Sequence, residues 1–142
     1  MSAVGDLLAR MLLALDDHEW EIVAACLDDT VRRDYRSLTG AEPDELPGPA
    51  LAAEWRAVLE GLTGHQHLLG PAVVDEEGDS ARASLHVIGT HTLEGDPGSP
   101  WTVGGTYRFA LRRDGERWRV AAMTLDVRWQ TGDAALLGRA AG

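Results

Sequence analysis

Gly64 divides the chain into two hydrophobic periods, and this division constrains the fold more than any other feature. Before it, Leu7, Leu8, Met11, Leu12 and Leu15 recur at three- and four-residue spacing, as do Leu51, Trp55, Val58, Leu59 and Leu62. Each set is the apolar stripe of an amphipathic helix. After it, Ala81, Ala83, Leu85, Val87, Gly89, His91 and Leu93 alternate with mostly polar residues. Trp101, Val103, Gly105, Tyr107, Phe109 and Leu111 do the same. Strict alternation predicts half-buried strands. A last strand is expected from about Arg117 to Trp129. Its apolar phase is even at Trp118 and Val120, then odd at Met123, Leu125, Val127 and Trp129. The slip near Ala121–Ala122 predicts a β-bulge, which bends a strand. "EEGD" and "RDGE" read as hairpin turns.

Between the two helical stripes stands "DDHEW". Asp16 and Glu19 have capping-box spacing, which predicts a second helix starting there, with His18 in its first turn. It would carry Trp20, Val23, Ala24 and Leu27. Val31, Arg33 and Tyr35 share one side of a short strand. Residues 40–49, with three prolines, read as turns. The fold class is α+β: three N-terminal helices packed in the concave face of a curved, mainly antiparallel sheet, forming a conical half-barrel. One domain over residues 1–142 is expected, large enough for a core and a small cavity.

Charge and composition remove several functions. The formal net charge is −10, which repels phosphates and anionic lipid, so neither nucleic acid nor membrane is an expected partner. There is no Lys, which excludes a Schiff-base mechanism. The joint absence of Lys and Asn fits a GC-rich genome. Cys26 is the only cysteine, so no intrachain disulfide forms and a reducing cytoplasm is the expected location. No secretion signal or apolar stretch of membrane-spanning length is read. Neither a nucleophile elbow nor a phosphate loop is present, since the glycines of "VGGTY" lie inside a strand.

The residues left for chemistry are histidines and tyrosines. Parity puts His91 and Tyr107 on inward strand faces and His86 on the opposite one. His65 and His67, in "TGHQHLLGP", share a face with each other, which alternation alone leaves unassigned. His65, His67 and His91 could offer three imidazoles to zinc. H-x-H alone is a weak signal, and no metal or cofactor is expected. A His with a carboxylate behind it and a Tyr before it makes an acid–base site. Against this stand plainer readings: a core histidine, core aromatics, and Asp16 as a helix cap.

Four stretches carry a resemblance: "LDDHEWEIVAACLDDTVRRDYRSL", "QHLLG", "VIGTH" and "DVRWQ". Together they resemble the nuclear transport factor 2-like superfamily, in its SnoaL-like branch with the ketosteroid isomerases, and most of all the scytalone dehydratases. The resemblance implies that His67 removes a proton beside a ketone and protonates the departing hydroxyl. It implies that Asp16 orients His67, that His91 is a second pocket histidine, and that Tyr35 holds a water against the carbonyl. Tyr107, Trp55, Leu15, Phe109 and Val87 are expected in the substrate-binding wall. The sequence departs from the dehydratases at Leu15, where they carry a tyrosine, and at Gly105 and Tyr107, where they carry serine and asparagine. The short tail after Trp129 argues against a long C-terminal lid. The implied activity is a cofactor-free dehydratase or isomerase acting on a small cyclic or aromatic-polyketide ketone through an enolate. A SnoaL-type polyketide cyclase and a non-catalytic small-molecule binding protein are the alternatives. The outward face at Ser84, His86, Ile88, Thr90, Thr106 and Ala110 carries little charge, and a homo-oligomer, dimer or trimer, is expected.

Overall fold

The computed structural model describes residues 2–142. Helix α1 (Ala3–Asp16) is capped by Ser2, whose hydroxyl accepts the Gly5 amide at 2.8 Å. It buries Val4, Leu8, Met11, Leu12 and Leu15. The helix runs on through Asp16, and α2 (Trp20–Cys26) starts three residues later than expected, with Glu19 rather than Asp16 at its N-cap. Glu19 makes no side-chain cap bond. The predicted capping box is therefore absent: Asp16 stays helical because Leu12 and Leu15 on the same turns are buried. His18 lies between the helices rather than in one, at φ +58°. Leu27 opens β1 (Leu27–Asp34) instead of closing α2.

After β1 come the short helix α3 (Arg36–Thr39), strand β2 (Asp44–Pro47) and helix α4 (Gly48–Leu59). Strand β2 falls in the segment expected as turns. It pairs with the sheet by its β1 side only, and Pro47 ends it, as proline does at a sheet edge. The rest is β3 (Gly64–Leu69), β4 (Val73–Glu77), β5 (Ser80–Thr92), β6 (Trp101–Asp114), β7 (Arg117–Thr131) and helix α5 (Leu136–Ala141).

Seven strands form one sheet in the order β2-β1-β7-β6-β5-β3, with β4 paired to the far half of β5. Every pairing is antiparallel except β1 with β7. Strands β3 and β4 flank one long neighbour and are separated at Gly70, Pro71 and Ala72, where proline has no N–H to give. The curled sheet wraps the helices, as the α+β half-barrel reading expected. No helix among the described residues is long and apolar enough to cross a membrane.

The expected bulge is present: Ala121 is the extra residue between the pairs Ala110↔Ala122 and Leu111↔Val120. A second one, not foreseen, inserts Arg128 between Gly104↔Trp129 and Gly105↔Val127. It reverses the phase again, so Trp129 faces outward and is 45% exposed. The indole lies across Gly104, where a Cβ would stand 2.2 Å from the ring. Only glycine leaves that seat open. The C-terminal tail, left unassigned from sequence, forms α5. Its Leu136 is fully buried, and the Ala140 carbonyl comes so near Gly61 that a Cβ there would stand 2.2 Å away.

Candidate active site

The site is set by where α1 ends. Asp16 is the last helical residue, and its side chain turns to β3 rather than to a helix start. Its Oδ2 accepts the His67 backbone N–H at 2.7 Å. Its Oδ1 accepts from His67 Nδ1 at 2.8 Å and from His65 Nδ1 at 3.2 Å. Burial opposes the ionised carboxylate, but the bonds from His65, His67 and the His67 amide outweigh it and hold Asp16 well below the usual carboxylate range. An ionised carboxylate only accepts, so both imidazoles present Nδ1–H to it. A neutral His67 so held has its lone pair on Nε2, free to accept a proton.

Register explains the rest. His67 stands opposite Gly89, and His65 opposite His91. The face that alternation left unassigned is thus the inward one. A Cβ on Gly89 would lie 3.2–3.3 Å from the His67 and His91 rings, so glycine there keeps the seat under both imidazoles free. The two rings meet edge to face, with centres 5.6 Å apart. His91 is 4% exposed, stacks on Trp101 at 4.4 Å and gives Nδ1–H to the Trp101 carbonyl at 3.3 Å.

These groups open on a cavity of about 260 Å³ lined mostly by apolar side chains. His67, His91, Tyr35, Tyr107, Trp55, Leu15 and Val87 all line it. Phe109, expected in the wall, does not. It lies behind Tyr107, ring centres 5.3 Å apart, as core. The sequence reading did not assign Met11, Leu12, Trp101, Met123 or Leu137 to the cavity wall, which they also line. The inward phases of α1, β6 and β7 contained the first four, whereas Leu137 had no signal. At one side the Arg33 guanidinium pairs with Asp44 at 2.7 Å and with Glu54.

Tyr35 caps the start of α3, with its hydroxyl 3.7 Å from Met123 Sδ. Burial pushes that hydroxyl up to about 12. Burial first, then Tyr35 and Asp16, also raises Tyr107 well above its ordinary value. Both therefore keep their protons at neutral pH and can act as donors. Among the described residues, Asp16, His65 and His67 bring donor atoms within 4.8 Å of one another and are the set that could hold a metal ion, without His91. The 2.8 Å Asp16–His67 separation is a hydrogen-bond length, however. Two ligands of tetrahedral zinc stand roughly 3.3 Å apart.

Burial, then the field of His67, depresses His91 from 6.5 to about 4, against the bond to Trp101. A depressed histidine stabilises the fold fully above pH 6.5, and the stability falls as pH drops from 6.5 toward 4, because only the unfolded chain takes up the proton. Between about pH 7.5 and 5 the loss expected from His91 is about 2 kcal/mol. Urea midpoints at those two pH values should differ more for the wild type than for His91→Gln. An equal difference in both would show that His91 is not the group responsible.

Residues 1–124 match the SnoaL-like domain. The chain belongs to the SnoaL-like family. Solved structures agree in fold with this SnoaL-like chain. A Kribbella flavida protein is 25% identical with a TM-score of 0.84, over 94% of this chain and 93% of that one. A candidate scytalone dehydratase from Novosphingobium aromaticivorans is 15% identical with a TM-score of 0.78, over 92% and 85%. A hexachlorocyclohexane dehydrochlorinase of the LinA type from Novosphingobium barchaimii is 15% identical with a TM-score of 0.75, over 93% and 88%. At 15% identity the last two speak to fold alone. No curated protein matches the SnoaL-like chain significantly in sequence. The family and the fold that the sequence resemblance implied both hold.

Proposed function

We propose that the protein is a cofactor-free lyase or isomerase that enolises a small cyclic or aromatic ketone, with His67 as the base. The observation that carries this reading is the Asp16–His67 pair, with His67 lining an apolar cavity beside two neutral tyrosines. His67 Nε2 takes the proton from the carbon next to the carbonyl. The C–H electron pair becomes the enolate double bond, and a Tyr35 or Tyr107 hydroxyl donates to the oxygen. In a dehydration the pair then returns to expel hydroxide from the β carbon. The imidazolium gives its proton to that leaving group, so water departs and the base is restored. The names of two structural relatives, a dehydratase and a dehydrochlorinase, both denote eliminations, one of water and one of hydrogen chloride. Tyr107 stands where the dehydratases carry asparagine, which supports a substrate other than scytalone.

The test is exchange. Incubated in D2O with a panel of cyclic and aryl β-hydroxyketones, the protein should place deuterium at the α carbon of at least one. Loss of water from the same compound would mark dehydration. Retention of a ketone with no deuterium gained would replace this reading with a binding module, which the apolar lining would also suit.

The outer sheet face supports a homo-oligomer. Leu68, Ile88, Gly104 and Trp129 stand side by side across four strands, and the three side chains are 65%, 40% and 45% exposed. Thr106 does not contribute as expected. It is buried and accepts from Arg128 Nε at 3.2 Å. Light scattering should report a dimer or trimer at micromolar concentration, and Ile88→Arg should shift it toward monomer. A wild-type protein that is monomeric at that concentration refutes the assembly.

A further inference from the structure

His65 is the imidazole that the base mechanism leaves without a task. Its side chain is 2% exposed, it does not line the cavity, and both of its nitrogens are engaged. Nδ1 reaches Asp16, as described. Nε2 lies 2.7 Å from Nε2 of His18. The two rings are 15° from coplanar with centres 5.0 Å apart, the separation of two imidazoles meeting end to end. This is an in-plane N–H···N bond and not a face-to-face stack. Since His65 carries its proton on Nδ1, its Nε2 can only accept, and His18 donates. All the N–H groups of this row therefore point one way, from the surface to the carboxylate.

The backbone at His18 is a second, independent observation. It is the one non-glycine residue with positive φ among those described, at +58°. An L-residue resists this region, and glycine or asparagine would occupy it more cheaply. The strained turn aims the imidazole at His65, and Trp20 stacks on its other side with ring centres 5.3 Å apart. Strain of this kind persists where the surroundings need a particular side chain in a particular direction.

We propose that His65 and His18 are positioning residues for the His67 base, a role that rests on His67 acting as that base. By giving its N–H to His65 Nε2, His18 reinforces the tautomer that Asp16 selects, in which His65 donates Nδ1–H to the carboxylate. That bond stops the carboxylate from rotating away from His67, and so keeps the His67 lone pair on Nε2, at the cavity.

Nitrogen NMR of the imidazoles tests this without any substrate, on the whole chain at about pH 8, where free imidazoles are neutral. The wild type should show His65 and His67 as pure Nδ1–H forms and His18 as Nε2–H. His18→Asn, which suits the strained turn, should turn His65 into a mixture of tautomers. His65→Leu should do the same to His67. In the deuterium-exchange assay His65→Leu should lose about ten- to a hundredfold in kcat with KM little changed. His65→Asn, whose amide nitrogen can replace Nδ1 as donor, should recover most of that loss. Adding His18→Asn to His65→Asn should then cost nothing more, since asparagine has no tautomer to fix. A wild-type His65 protonated on Nε2, or a His67 that stays a single tautomer in His65→Leu, overturns the proposal. If no ketone exchanges, the base reading fails separately, and the NMR still decides whether His65 governs His67.

Discussion

Asp16→Asn should lower the rate on the proposed ketone by about a hundred- to ten-thousandfold, the range associated with a positioned general base. The mechanism of loss is a wrong tautomer. An amide nitrogen placed where Oδ1 stands would face two imidazole nitrogens and force them to accept, which moves the His67 proton to Nε2. Turned the other way, the amide would confront the His67 backbone N–H with a second donor. Asp16 caps no helix, but the mispaired amide should cost about 1–3 kcal/mol, so Tm should fall by several degrees while the protein stays folded at the assay temperature. Rate and melting temperature thus separate an orienting carboxylate from a structural one. An Asp16→Asn protein that turns over substrate within a few-fold of wild type would end the proposed mechanism.

His67→Ala should cost about as much, again a hundred- to ten-thousandfold. Its neighbour is the graded comparison: His65→Ala leaves the His67 ring in the cavity and removes only a positioning contact, so it should cost less, about ten- to a hundredfold. The alanine variant also vacates space beside Gly89, so millimolar imidazole added to His67→Ala should restore part of the rate, whereas it should do nothing for His65→Ala. Equal losses in the two variants would mean that the bases have been assigned wrongly.

The change of period at Gly64 made the order of helices and strands readable, because a core on one face must repeat at the period of its own backbone. The same alternation placed His91 and Tyr107 inward and found the bulge at Ala121. It failed at Trp129 because a second bulge, at Arg128, adds one residue without leaving a mark in hydrophobicity. It failed at Phe109 because inward parity does not separate a cavity wall from the core behind it. Asp16 misled for a related reason: its spacing to Glu19 suits a capping box, and only tertiary contact with β3 decides where the carboxylate points. His18 and His65 lie 47 residues apart, and nothing local announces that they meet. Residue pairing of that kind was legible only through the resemblance, which reached Asp16 and His67 but not the outer two histidines.

The parallel pairing of β1 with β7 has a consequence for how the protein is made. Asp16 and His67 leave the ribosome early, and β1 can pair with β2 soon after, but its parallel neighbour β7 begins only at Arg117, well over half the chain later. At about 5–20 residues per second that delay is on the order of ten seconds. Through it, the edge of β1 and the apolar faces of α1 and α4 stay open to other nascent chains. Met123, Leu125 and Leu137, three residues of the cavity wall, also arrive last. The newborn polypeptide therefore holds the proposed reacting groups well before it holds a cavity around them, and the interval is when it would most need a chaperone.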